Sequence, residues 1–223
     1  MNGQRFFNPA ELMRFKHISF DLWLTLIKSH PEFKERRALL FKTFFGIREN
    51  LNEVAAVIKY YDDTCNKINE LTGRSLDAFE IYLLILAKFG IFPDISQLQE
   101  FYTKTETLLF EYPPILLNHF DERFFTELKK QKISCNILSN TGFIKGKTLR
   151  SLLNNYFVGP CFDFQLYSDE EGISKPHKAF FQKIFSYFDK PIASKAVIHI
   201  GDNRFADYNG ALQAGLSALL IAN

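Results

Sequence analysis

After Pro113-Pro114 the sequence alternates between short apolar runs and stretches of helical periodicity, and this rhythm restricts the fold more than any other feature. Consecutive prolines remove two backbone donors and fix two φ angles, so they break the chain. Beyond them, helices are expected at 117–130, 145–156, 177–188 and 205–214, and strands at 133–138, 162–167, 196–200 and 217–221. Strands of four to six apolar residues separated by helices imply right-handed crossovers and a parallel sheet buried on both faces. The apolar run at 16–21 supplies a fifth strand. The expected fold class is α/β, a five-stranded parallel Rossmann-like core.

The alternation is interrupted once. Residues 30–110 read as helices, at 31–45, 51–71, 75–89 and 93–110, with Phe79, Tyr82, Leu83, Leu86 and Phe89 recurring every three or four residues. Ser29-His30-Pro31-Glu32 has the spacing of a capping box, and Gly73 and Gly90 stand where helices should stop. The simplest organisation is a core domain of residues 1–28 and 113–223, with an inserted helical cap domain of residues 29–112.

Composition excludes several function classes. With 47% hydrophobic residues, 25 of the 223 being Phe, the chain can bury a large aromatic core. A net charge of +2, with no basic run, gives no sign of a nucleic-acid partner. The apolar run at 81–87 is far shorter than the ~20 residues that span a bilayer, and the N-terminus carries no apolar signal segment. Three dispersed cysteines without C-x-x-C indicate neither a disulfide framework nor a zinc site. The expectation is a cytoplasmic protein.

Ligands of open parallel sheets bind outside the carboxyl ends of the strands. The first strand ends in Asp21, the second in Ser139-Asn140-Thr141-Gly142. The third leads into a loop containing Lys175-Pro176, and the fourth ends Gly201-Asp202 with Asp207 five residues on. Each has an ordinary explanation. Asp21 fits a period-two strand with one wet face, Ser139 a helix cap, Lys175 a solvated lysine, and Asp202 and Asp207 a turn and a cap. Together they place a nucleophile, a hydroxyl, a cation and two acids at one edge of one sheet.

Four segments in order, Phe20-Asp21-Leu-Trp-Leu-Thr25, Ile137-Leu138-Ser139, Ser174-Lys175-Pro176 and Gly201-Asp202-Asn-Arg-Phe-Ala-Asp207, resemble the four motifs of the haloacid dehalogenase (HAD) superfamily. The helical insert resembles that family's cap. The resemblance implies a phosphatase that forms an aspartyl-phosphate on Asp21. It also implies Mg²⁺ held by the Asp21 carboxylate, the Trp23 backbone carbonyl and Asp202, with Asp207 acting from behind or through water. Ser139 and the Asn140 amide would hold phosphate oxygens, Lys175 would pair with Asp21 and the phosphate, and Thr25 would orient the loop.

Two positions depart from the family pattern. Trp23 replaces the Asp that serves as general acid and base, and Leu24 replaces a small residue. Trp has no proton to exchange in this role, and general acid–base help is worth ~10² to 10⁴ in rate. The expected protein is a slow Mg²⁺-dependent phosphatase acting on a small phosphorylated metabolite. The alternatives are a non-catalytic phosphate- or metabolite-binding homologue and, less favoured, a 2-haloacid dehalogenase. His30 is the candidate substitute acid, and Lys28, His30, Arg36 and Arg37 are candidates for substrate choice.

Overall fold

The first strand shows that the alternation through Asp21 does not leave a wet face. β1 (His17–Phe20) is buried at all four positions. Ile18 and Phe20 join an apolar cluster in which the Phe20 ring meets Phe120 at 5.1 Å and Phe125 at 5.8 Å. On the other face, His17 and Ser19 are costly to bury unless hydrogen-bonded. The His17 ring lies 2.6 Å from Ser134 Oγ and 2.7 Å from Asn136 Oδ1, and Ser19 Oγ lies 3.0 Å from His199 Nδ1. The structure is a computed structural model describing residues 9–117, 120–156 and 158–221.

From β1 the chain turns into β2 (Ile27–Lys28) and leaves the sheet. Four helices follow: α1 (Phe33–Phe44), α2 (Leu51–Thr72), α3 (Ala78–Lys88) and α4 (Ile95–Glu111). The chain returns through β3 (Ile115–Leu116), which pairs antiparallel with β2, Ile27 opposite Leu116. This two-residue ribbon ties the exit to the re-entry and is too short to produce a periodic signal. Capping boxes open α2 (Asn50 with Glu53), α3 (Asp77 with Glu80) and α4 (Asp94 with Gln97). Gly73 and Gly90 follow helices with φ of 72° and 69°. The capping box expected at Ser29 does not form. Helix α1 starts two residues later than expected, without a side-chain cap, and the Glu32 N–H donates instead to His30 Nδ1.

The second half follows the expected rhythm with shortened elements: α5 (Glu122–Lys130), β4 (Ser134–Ser139), α6 (Gly146–Leu153), β5 (Phe164–Tyr167), α7 (Ser168–Glu171) and α8 (Lys178–Gln182), then β6 (Val197–Gly201), α9 (Gly210–Gln213) and β7 (Ser217–Leu220). Helix α5 was expected from residue 117. Asp121 caps it instead, while the Leu117 N–H donates to the Leu26 carbonyl as a continuation of the ribbon; residues 118 and 119 lie outside the described residues. The helix expected at 177–188 is α8 followed by a 3₁₀ turn, and that at 205–214 is a π-helical turn, Arg204–Asn209, followed by α9.

The five strands lie in the order β5-β4-β1-β6-β7, every pair parallel. β1 is central, and the strand order reverses on either side of it, so its carboxyl end is the crevice where α/β sheets bind ligands. Helices α1 to α4 share a separate apolar cluster around Phe41, Tyr82 and Phe101, and Phe143 enters it from the loop after β4. Among the described residues no helix is long and apolar enough to cross a membrane.

Candidate active site

Asp21 is the first residue beyond β1, and its N–H donates to the Ile200 carbonyl at 2.8 Å. The chain then reverses tightly. The N–H groups of Leu26 and Ile27 both donate to the Leu22 carbonyl, and that of Leu24 to the Ile27 carbonyl. Leu24 adopts a left-handed φ of 59°, which costs a side-chain-bearing residue roughly 1–2 kcal/mol. The turn carries Thr25 back beneath Asp21, where its hydroxyl donates to Asp21 Oδ2 at 3.2 Å.

Lys175 is not a solvated lysine; it is 1% exposed. The Asn140 side chain clasps its backbone, accepting from the Lys175 N–H at 2.8 Å and donating to the Lys175 carbonyl at 3.0 Å. The ammonium donates to Asp21 Oδ1 at 2.7 Å and to Asp207 Oδ1 at 2.6 Å. Burial opposes its charge, but Asp207 and Asp21 outweigh that and hold its pKa above the ordinary lysine value.

Asp207 comes from the π-helical turn. Its Oδ2 accepts the Asn203 N–H at 2.9 Å, and its Oδ1 takes Lys175 and, at 3.2 Å, His199 Nε2. Burial pushes this carboxyl up, yet Lys175 and His199 hold it well below the usual carboxylate range. Gly201 makes the approach possible: a Cβ there would stand 2.3 Å from the Asp207 carboxyl group. A buried chain of contacts therefore runs Ser19, His199, Asp207, Lys175, Asp21, Thr25. Sequence reasoning missed Ser19 and His199. The signal available was a polar residue at the same place in two adjacent apolar strands.

Asp202 follows β6 half-buried; burial and then Asp207 raise its pKa. Burial, opposed by Lys175 and reinforced by Asp207 and Asp202, raises that of Asp21 to about 7. Carboxylate oxygens of Asp21, Asp202 and Asp207 lie within 4.8 Å of one another. Three acids against one lysine leave an excess of two negative charges, which matches a divalent cation. Among the described residues no imidazole or thiolate lines the cavity, and oxygen donors alone suit a hard ion such as Mg²⁺.

These groups open into a cavity of about 440 Å³. Asp21, Trp23, Asn140, Lys175, Asp202 and Asp207 line it, whereas Thr25 and Ser139 do not. The Ser139 hydroxyl is fully buried and donates to the Asn140 carbonyl at 3.2 Å. Of the four candidates for substrate choice, only Arg37 reaches the cavity. Lys28 is exposed, Arg36 pairs with Glu32 at the surface, and His30 packs on the Tyr112 ring.

The opposite wall was not anticipated. Asp62, Asn66 and Glu70 recur every four residues along one face of α2 and line the cavity. Glu70 Oε1 accepts from Asn203 Nδ2 at 2.8 Å. Beyond Glu70 the chain docks on the loop that carries Lys175: the Ser174 N–H donates to the Gly73 carbonyl at 2.8 Å, and the Ser75 hydroxyl to Ser168 Oγ at 2.9 Å.

A family model described as haloacid dehalogenase-like hydrolase matches residues 15–215. No curated protein matches the chain. Among solved structures, the chain is similar to the HAD-hydrolase YfnB from Bacillus subtilis bound to magnesium, at 22% identity and a TM-score of 0.67, over 93% of this chain and 88% of that one. It is similar to a predicted phosphoglycolate phosphatase from Haemophilus somnus, at 18% identity and a TM-score of 0.61, over 93% and 85%. It is also similar to L-2-haloacid dehalogenase from Xanthobacter autotrophicus, at 19% identity and a TM-score of 0.60, over 92% and 76%. At these identities the likeness concerns the fold.

Proposed function

This chain belongs to the haloacid dehalogenase-like hydrolases, and we propose that within them it is a Mg²⁺-dependent phosphohydrolase of small phosphorylated metabolites, working through an aspartyl-phosphate on Asp21. One observation carries the reading: three carboxylates within 4.8 Å of one another, with a buried lysine bound to two of them. Attack at carbon with loss of halide has no use for this excess of negative charge, which would repel both a haloacid and the departing halide. Phosphoryl transfer needs a cation there to neutralise the phosphate oxygens. The Asp21 and Asp202 carboxylates and the Trp23 backbone carbonyl would hold Mg²⁺, which would supply that neutralisation. Residues 29–112 would act as a cap that closes the cavity from above, and the buried thiols of Cys65 and Cys135 accord with a reducing, cytoplasmic setting.

The chain's own groups do the rest. Lys175 and Thr25 each hold one oxygen of Asp21, which fixes the carboxylate before it attacks phosphorus. The bond from Asp21 to phosphorus forms as the ester P–O bond breaks, and the departing oxygen takes up a proton. Water then attacks the phosphorus and releases phosphate and free Asp21. Lys175 and His199 keep Asp207 ionised, the Asn203 N–H holds its second oxygen, and the Asn140 amide offers a donor for phosphate oxygens. Trp23 supplies no proton, and His30 is turned away onto Tyr112. Of the two acids that line the cavity from α2, Glu70 is the one joined to the sheet side, through Asn203, and burial raises its pKa toward a group able to donate.

Phosphate release from a panel of phosphorylated metabolites, measured with Mg²⁺ and with chelator, tests the proposal alongside halide release from 2-haloacids. Slow Mg²⁺-dependent phosphate release is expected, rising about tenfold or more in Trp23→Asp if the variant melts normally. Halide release without phosphate release would overturn the proposal.

A further inference from the structure

Arg37 is 8% exposed and lines the cavity from α1. Its guanidinium carbon stands 4.0 Å from the centroid of the Phe143 ring and 5.7 Å from that of Phe33. Its Nε is buried without a hydrogen-bond partner. Among the described residues, Asp62 is the carboxylate that acts on it, at longer range than an ion pair. A guanidinium taken out of water needs acceptors, and a ring face returns only part of the cost. Lys175, equally buried, spends its charge on two carboxylates; Arg37 spends its charge on none.

The setting is also electrostatically asymmetric. At the sheet end of the cavity, Asp21, Asp202 and Asp207 outnumber Lys175. On the helical wall Lys34, one turn before Arg37, adds a second cation, Asp62 and Glu70 supply two anions and Asn66 an amide, and Glu70 is engaged by Asn203. The cavity carries a net negative charge where a metal and a phosphoryl group would sit and none in sum on the helical wall, where Arg37 is buried without an ion-pair partner among the described residues. At about 440 Å³ it has room for a small molecule that reaches from one end to the other.

We infer that Arg37 binds a second anionic group of the substrate, a carboxylate or another phosphoryl group, so that the molecule hydrolysed is a small organic phosphate charged at both ends. The inference rests on the phosphohydrolase reading for the identity of the first group and on Arg37 for the second. A guanidinium is suited to either anion, because its planar fork donates two parallel hydrogen bonds. Arg37 would thus discriminate against phosphate esters with a neutral tail.

Trp23 lines the same cavity and is the chain's one tryptophan, so its emission reports occupancy without turnover. The intact protein, with Mg²⁺, is titrated with ethylphosphonate, 3-phosphonopropionate, 1,2-ethylenediphosphonate and succinate. At least one of the two doubly headed phosphonates should bind about tenfold or more tightly than ethylphosphonate, and the tighter of them identifies the second group. Arg37→Met, which keeps an unbranched apolar stem without the charge, should erase this preference, and Arg37→Lys should retain part of it. Equal affinities in the parent protein, or a preference that survives in Arg37→Met, would overturn the inference. If Arg37→Met does not fold, the parent's preference and the Arg37→Lys titration decide. If no phosphonate binds but succinate binds through Arg37, the phosphohydrolase reading fails and the anion subsite stands.

Discussion

On the sheet side of the cavity the buried charges hold one another: Lys175 lies within 2.7 Å of Asp21 and 2.6 Å of Asp207, and Asp207 is held in turn by His199 and the Asn203 amide. On the helical side, among the described residues, Arg37 makes no ion pair, Lys34 is exposed and Glu70 is engaged by Asn203, while Asp62 reaches Arg37 only at longer range. The first wall is preorganised. Its charges were desolvated and paired when the chain folded, so they need little rearrangement when a phosphoryl group arrives. The second wall leaves its cation uncompensated, and a ligand completes it. The difference separates a wall that performs chemistry from one that selects what the chemistry acts on.

The largest expected effect breaks this comparison directly. Lys175→Met leaves two buried carboxylates without their cation and should cost about 3–5 kcal/mol in denaturant unfolding without metal. Arg37→Met removes a buried charge that lacks an ion-pair partner and should be neutral or stabilising in the same measurement. Equal losses for the two variants would mean that Arg37 is a structural strut and that the two walls are alike.

The sheet was legible because five apolar runs of strand length, four of them spaced by helices, leave few alternatives, and the sheet's chemical edge was legible because polar residues terminate those runs. The other wall was not. Asp62, Asn66 and Glu70 sit on α2 at four-residue spacing, which in a sequence looks like the wet face of an amphipathic helix; only the position of the helix over the sheet turns that face into a lining. Ser19 and His199 were hidden for the opposite reason: they lie inside apolar strands, where Ser19 is satisfied by His199, and His199 by Ser19 and Asp207. The ribbon of β2 and β3 and the four-residue α7 fall below the length at which periodicity exists. The capping box at Ser29 failed because His30 took the Glu32 N–H that a helix start would have left free.

A second prediction sharpens the claim that the sheet side is prepaid. His17 is buried neutral, and burial lowers its pKa to about 4, against the hydrogen bond to Asn136. Below pH 6.5 the unfolded chain binds a proton that the folded one refuses, so stability falls as pH drops from 6.5 toward 4. The loss from this residue should approach about 3 kcal/mol. Urea titrations at pH 7 and pH 4.5 check it, and the slope should flatten in His17→Phe. A parent protein whose stability changes no more than the variant's would show that the seam beneath the sheet is not sealed.

A smaller effect concerns the turn that carries Trp23. Leu24 is 49% exposed and left-handed, so Leu24→Gly relieves strain with little loss of packing. A gain of about 0.5–1 kcal/mol in thermal unfolding is expected. A loss would show that the Leu24 side chain anchors the turn.

The most direct test of the central claim is a search for phosphoryl-Asp21. Intact protein is incubated with acetyl phosphate and Mg²⁺ and analysed by mass spectrometry, with Asp21→Asn in parallel. Acetyl phosphate has a leaving group that departs without acid help, and Trp23 cannot activate the water that would clear the adduct. The account predicts that one phosphoryl group accumulates on Asp21, disappears with chelator, and never forms on Asp21→Asn. No adduct in the parent protein, or the same adduct in Asp21→Asn, would contradict it.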